Sequence, residues 1–138
     1  MLTFPYLRKG EQYFPVVDIT LAIPTRPLTL KALVDSGATF SVFRAEIIEY
    51  LGIPLTRGER VYLEGVGGRI LGYRHRVPAS VGDTRFLLTV IFSQELTVSF
   101  NLLGREDFFR QFLVSFDERH HVVHLRPYRP KAKARLSA

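Results

Sequence analysis

The stretch Lys31-Ala32-Leu33-Val34-Asp35-Ser36-Gly37-Ala38-Thr39 runs three apolar residues into a carboxylate, then at once into a hydroxyl and a glycine. A carboxylate at the end of a buried strand is costly unless something pairs with it or uses it. A glycine two residues on lets the backbone turn tightly and bring an N–H toward that carboxylate. Taken alone, Asp-Ser-Gly is also ordinary turn chemistry, with the aspartate serving only its own backbone. Its neighbours along the chain separate a structural aspartate from a chemical one.

Upstream, Tyr13–Ile23 has the β-branched content and alternation of a strand, residues 24–27 (P-T-R-P) read as a turn, and Leu28–Val34 reads as a second strand. The two form a hairpin that delivers Asp35. Downstream, residues 45–52 place Ile47, Ile48 and Leu51 on one face of a short helix, with Gly52 at its C-terminal cap and Pro54 preventing its continuation. Val61–Tyr73 reads as a hairpin whose tip is Gly65-Val66-Gly67-Gly68. Arg76–Ser80 and Phe86–Phe92 read as strands that turn at Gly82-Asp83, and Val98–Leu103 as another that ends at Gly104. Phe108, Phe109 and Phe112 have helical spacing, and Phe112–Leu125 closes with a hairpin around Asp117-Glu118-Arg119-His120. Many short strands with two short helices predict a mainly β domain, barrel or sandwich-like.

With 138 residues, 46% of them apolar, the chain is expected to fold as one globular domain over residues 1–125. Its net charge is +6, but Arg126, Arg129, Lys131, Lys133 and Arg135 supply five positive charges with no acid among them. Residues 126–138 therefore read as a basic, flexible tail, whose blander role is solubility and whose sharper one is contact with nucleic acid or anionic membrane. The aromatic residues are mostly Phe and lack an interleaved basic stripe, so no nucleic-acid recognition is expected of the domain itself. No cysteine is present, which excludes disulfides and thiolate sites. The apolar run Phe86–Phe92 is far short of a membrane span, and Pro5, Arg8 and Lys9 interrupt any signal-like core. A cytoplasmic location is the expectation that fits these features.

Three features line up in order: Leu33-Val34-Asp35-Ser36-Gly37-Ala38, the Gly65-Val66-Gly67-Gly68 hairpin tip, and Leu102-Leu103-Gly104-Arg105. Together they resemble the retropepsin-like aspartic proteases, and the match runs from about Val17 to Leu125. The segment after Ala38, with its helix and Leu51-Gly52, looks more like bacterial and retrotransposon members than viral ones. The resemblance implies a closed β barrel of the acid-protease fold with one or two short helices. It implies that Asp35 is catalytic, that Ser36, Gly37 and Ala38 support it, and that Gly65, Val66, Gly67 and Gly68 form a flap over an extended polypeptide. Leu102, Leu103, Gly104 and Arg105 would be structural elements beside the site. No cofactor or metal is implied.

The chemistry of such a site is peptide hydrolysis by a water held between two carboxyls that share one proton. Close carboxylates cannot both ionise comfortably, so one serves as base and the other as acid, and the two titrate as a pair. The chain holds a single Asp-Ser-Gly, so the second carboxyl must come from another copy, and a two-fold homodimer is expected. The alternative on the same fold is a dimerisation or peptide-binding module without turnover. Apolar cleft walls are expected from Leu33, Val66, Ile70 and Leu102.

Two departures from the viral pattern stand out. Thr39 occupies a position that is usually acidic, so Arg105 lacks its usual partner, leaving Glu106, Asp107 or Asp117 as substitutes. The proline-containing N-terminus and the basic C-terminus also argue against assuming a viral-like seal between subunits. Gly65-Val66-Gly67-Gly68 read as a phosphate loop would want a lysine and a following helix, and has neither. His120, His121 and His124 raise a metal reading, but on a strand His120 and His124 would lie about 13 Å apart with His121 on the opposite face, so no metal site is expected.

Overall fold

A computed structural model describes residues 1–23, 26–65 and 68–128. Its strands are β1 (Leu2–Pro5), β2 (Leu7–Lys9), β3 (Gln12–Phe14), β4 (Val16–Leu21), β5 (Leu28–Val34), β6 (Val42–Arg44), β7 (Glu59–Gly65), β8 (Gly68–Val81), β9 (Thr84–Ser93), β10 (Asn101–Leu103), β11 (Phe112–Asp117) and β12 (Val122–Pro127). Two short helices, α1 (Ala45–Tyr50) and α2 (Phe108–Gln111), interrupt them.

The order β4-β5-β10-β6-β9-β8 closes on itself because β8 also pairs with β4, Thr20 opposite Ser80 and Leu21 opposite Ala79. This is the closed barrel expected from the resemblance, and closure leaves those strands without a free edge where they meet. Alternation fills its interior: Val17, Ile19 and Leu21 of β4 and Ala32 and Val34 of β5 are all buried, while Asp18 and Lys31 point outward and pair at 2.8 Å. Phe43 and Phe92 meet edge to face in the middle of this core, ring centroids 6.0 Å apart.

A second, three-stranded sheet, β1-β12-β11, packs Val123, Leu125 and Phe112 against the barrel, where Phe86 and Phe108 meet Phe112. The first and last described strands pair in this sheet, Leu2 opposite Leu125. β12 runs through Pro127, so Arg126 is paired with Leu113 rather than loose; the basic run from residue 129 onward lies outside the described residues. No described helix is long and apolar enough to cross a membrane.

The expected elements are largely present, with instructive differences. The strand expected over Tyr13–Ile23 is broken at Pro15, which has no N–H to give a ladder, and β3 turns away to pair with β2. The strands expected separately at the hairpin and at Arg76–Ser80 are one 14-residue strand, β8, which serves β7 with its first half, Gly68 to Arg74, and β9 with its second, Tyr73 to Val81. The strand expected over Val98–Leu103 is only β10, three residues long. Helix α1 ends as expected: Gly52 adopts φ +78°, its N–H donates to the Glu49 carbonyl, and the Ile53 N–H reaches back to Ile48. The turn at 24–27 falls partly outside the described residues.

Candidate active site

Asp35 leaves the end of β5 and is fastened from both sides. Its own N–H donates to the Leu103 carbonyl at 2.9 Å, extending the parallel pairing of β5 with β10 by one rung. Its Oδ1 accepts from the Gly37 N–H at 2.9 Å, and its carbonyl accepts from the Ala38 N–H at 3.1 Å, closing the turn. A Cβ at Gly37 would sit 3.3 Å from that same Oδ1, tight enough to disturb the bond. Among the described residues, no protein donor is bonded to Oδ2. Asp35 is half-buried, and Ser36 and Gly37 are exposed beside it. The carboxylate is thus oriented by the backbone while one oxygen stays available.

The Asp-Ser-Gly-Ala and Leu-Leu-Gly-Arg motifs, about seventy residues apart in sequence, fold into one unit. The Arg105 N–H donates to the Ala38 carbonyl at 2.9 Å and the Glu106 N–H to the Thr39 carbonyl at 2.7 Å. Gly104 lies so close beneath this loop that a Cβ would be 2.5 Å from the Phe40 carbonyl carbon and oxygen. Its N–H donates to the Ser41 hydroxyl at 3.0 Å, a bond that is fully buried. Sequence reasoning did not single out Ser41; the available signal was a lone hydroxyl entering the apolar run Val42-Phe43.

The Arg105 side chain is exposed and takes part in no ion pair among the described residues. The acids considered as its partners are engaged elsewhere. Glu106 pairs with Arg110 at 3.3 Å, Asp107 accepts from the Thr89 N–H at 3.1 Å, and Asp117 pairs with His120 at 2.9 Å. Arg105 therefore enters the unit through its backbone.

The β7–β8 hairpin extends beyond the barrel, registered Gly65 opposite Gly68; Val66 and Gly67, expected at the tip, lie outside the described residues. At its base, β8 pairs with β9 only from Tyr73 onward, and Leu71, before that point, finds side-chain partners on that edge instead. The Glu95 carboxylate accepts the Leu71 N–H at 2.9 Å, and the Ser93 hydroxyl donates to the Leu71 carbonyl at 2.7 Å. One hairpin face carries Tyr62 beneath Arg69, whose guanidinium is 4.1 Å from the ring centroid. A hydrogen bond from Arg60 to the phenol holds the Tyr62 hydroxyl below its ordinary pKa.

The other face covers an open groove of about 290 Å³, lined by Leu63 and Ile70 of the hairpin, Val42 and Leu102 of the barrel, and Leu96 and Val98 of the loop between β9 and β10. Glu64 and Glu95 stand at its margins. Of the expected walls, Ile70 and Leu102 line it, Leu33 lies one strand away opposite Leu102, and Val66 is outside the described residues. Val42, Leu63, Leu96 and Val98 were not anticipated. Leu102 immediately precedes Leu103, whose carbonyl accepts the Asp35 N–H, so the strand that floors the groove is the one that fastens the Asp35 backbone.

The three histidines near the closing hairpin are placed apart. His120 binds Asp117, His121 stacks on Tyr13 with centroids 3.9 Å apart, and His124 bonds the Thr3 hydroxyl at 2.9 Å. 

The sequence profile of the aspartyl protease family matches residues 25–106, more than half of the chain and the whole of the unit just described. The chain belongs to the aspartyl protease family. Its fold is that of the retropepsin-like members. A retropepsin-like aspartic protease from Rickettsia conorii superposes with a TM-score of 0.67 at 15% identity, over 90% of this chain and 88% of that one. The EIAV protease, solved with the inhibitor HBY-793, superposes with a TM-score of 0.53 at 17% identity, over 72% of this chain and 89% of that one. No curated protein matches the chain in sequence. For an aspartyl protease, the placement of Asp35 at the junction of both motifs is the feature of greatest chemical interest.

Proposed function

We propose that this chain is an aspartic endopeptidase that acts as a homodimer on extended polypeptides, with Asp35 of each subunit as the catalytic carboxyl. The observation that carries this is the fixed carboxylate: Asp35 is oriented through Oδ1 by the Gly37 N–H, its other oxygen unclaimed by any described group, beside an apolar groove under a hairpin. A single such carboxyl cannot both take and give a proton in one step, so the proposal requires a second copy on a two-fold axis.

In the paired site, the ionised carboxyl takes a proton from the water lying between the two. The water oxygen bonds to the scissile carbonyl carbon, while the protonated carboxyl donates a hydrogen bond, then its proton, to the carbonyl oxygen. Collapse of the resulting gem-diol returns one hydroxyl proton to the ionised carboxyl and breaks the C–N bond, while the departing nitrogen takes up the proton held by the other carboxyl, so the dyad again shares one proton. Gly37 keeps the carboxylate aimed throughout. On this reading the exposed Ser36 bonds across the subunit boundary, and Gly65 to Gly68 of the β7–β8 hairpin form the flap. The apolar groove favours peptides with apolar side chains.

The test is digestion of a diverse peptide mixture between about pH 4 and pH 7, where a carboxyl pair holds one proton, by wild type and Asp35→Asn side by side. Cleavage by the wild type alone supports the proposal. Equal cleavage by both removes it. A dimer with no cleavage would leave the silent binding module instead.

A further inference from the structure

The groove beside Asp35 has two apolar walls of different construction. The hairpin wall is a paired β-ribbon. The opposite wall, residues 94–100, is an irregular loop between β9 and β10 that presents Leu96 and Val98 to the groove. An irregular loop must have its polar backbone groups satisfied and its entropy restrained before it can offer a fixed surface. Among the described residues, its hydrogen bonds to the rest of the chain have three sources. At its start, the Glu95 carboxylate accepts the Leu71 N–H and the Ser93 hydroxyl accepts the Glu95 N–H at 3.0 Å; the carbonyls of Leu96 and Val98 are met by Arg44.

Arg44 ends β6 and precedes helix α1, fifty residues before the loop. Its guanidinium is forked: Nη2 donates to the Val98 carbonyl, and Nη1 reaches the Leu96 carbonyl at 3.5 Å. Its backbone N–H donates to Asn101 Oδ1 at 2.9 Å, at the first residue of β10. The register Leu102 opposite Val42 would set Arg44 against Phe100, but β10 begins only at Asn101, so the Asn101 side chain stands in for the missing ladder carbonyl. The two carbonyls held by Arg44 belong to the two residues whose side chains line the groove. A planar five-donor guanidinium can hold two carbonyls at once; a lysine ammonium lacks that fixed fork.

We infer that Arg44 is a positioning residue for substrate selection: it clamps the 94–100 loop so that Leu96 and Val98 form a fixed wall, and the width of that wall sets which apolar side chain the groove accepts. Arg44 touches no reacting atom. This inference rests on the endopeptidase reading for its effect on selectivity, but not for its effect on the loop.

The experiment compares wild type, Arg44→Met, which keeps the aliphatic stem and removes the donors, and Arg44→Lys. Amide hydrogen exchange is measured over residues 94–100 and over β9, and cleavage of a peptide library varied at one apolar position is profiled in parallel. Arg44→Met is expected to speed exchange in 94–100 by about ten-fold while β9 is unchanged, since charge-assisted bonds of this kind contribute on that scale. KM should rise by about ten-fold with kcat within two-fold, discrimination between side-chain sizes should relax, and Arg44→Lys should restore part of each. Unchanged exchange in the loop overturns the inference. So does faster exchange with an unaltered cleavage profile, or a loss that falls on kcat alone in step with the unfolded fraction. If the wild type cleaves nothing, the endopeptidase reading fails by itself, and the exchange rates decide whether Arg44 holds the loop.

Discussion

Gly104 shows how much of the site depends on single atoms. A methyl group there would lie 2.5 Å from the Phe40 carbonyl, and the obstructing atoms are backbone, which cannot swing aside. Gly104→Ala is expected to destabilise the fold by about 2–3 kcal/mol and to displace residues 38–40, which follow the Asp35 turn; urea unfolding and the cleavage rate would read both effects. Ser41→Ala tests the same joint from the polar side, stranding the buried Gly104 N–H at a cost of about 1–3 kcal/mol. At the surface, the hydrogen bonds from His120 hold the Asp117 carboxyl below its ordinary value of 3.8. A carboxyl whose folded pKa is depressed contributes stability above its unfolded pKa and loses it as the pH falls through the folded one. The stability difference between wild type and Asp117→Asn should therefore shrink as the pH falls below about 4, in parallel melts across that range.

At the scale of elements, the hairpin base is the informative place. β8 is continuous across it, yet the residues before Tyr73 have no β9 beside them, and on that side Glu95 and Ser93 fasten Leu71 among the described residues. Glu95→Ala should accelerate amide exchange across the 59–70 hairpin several-fold and leave β9 untouched, because loss of a local tether lowers local rather than global stability. An unchanged hairpin would mean that β7–β8 pairing alone sets its motion. This was also the level at which the sequence was hardest to read. Alternation located β5 and β9 well because both have a buried and an exposed face. It ran through Pro15, because Tyr13 and Phe14 carry strand-like side chains although the chain there turns to serve a different sheet. It placed no strand at Leu2–Lys9, where pairing depends on β12 and β3 rather than on the segment's own pattern.

For the whole molecule, the proposal stands or falls on association. Specific activity should fall on dilution as a dimer dissociates, and sedimentation of wild type and Asp35→Asn should give the same dimer although only the former cleaves. A monomer at every concentration would remove the paired-carboxyl mechanism. β1 and β12, the first and last described strands, pair with each other in the β1-β12-β11 sheet, so these strands already have partners within one chain.

The sequence by itself determined the motifs and their order: a carboxylate after an apolar strand, a glycine-rich hairpin, and a second apolar strand ending in Gly-Arg. These are local properties, fixed by alternation, by turn-forming residues, and by glycines at positions where side chains do not fit. The tertiary structure decided what those pieces touch. It set Gly104 under Phe40, paired Ser41 with the Gly104 N–H, left Arg105 without its expected acid, and brought Arg44 to the carbonyls of a loop fifty residues away. Such contacts depend on the closure of the barrel, where β5, β10 and β6 meet out of sequence order, and no periodicity within a segment specifies which distant segment will lie beside it.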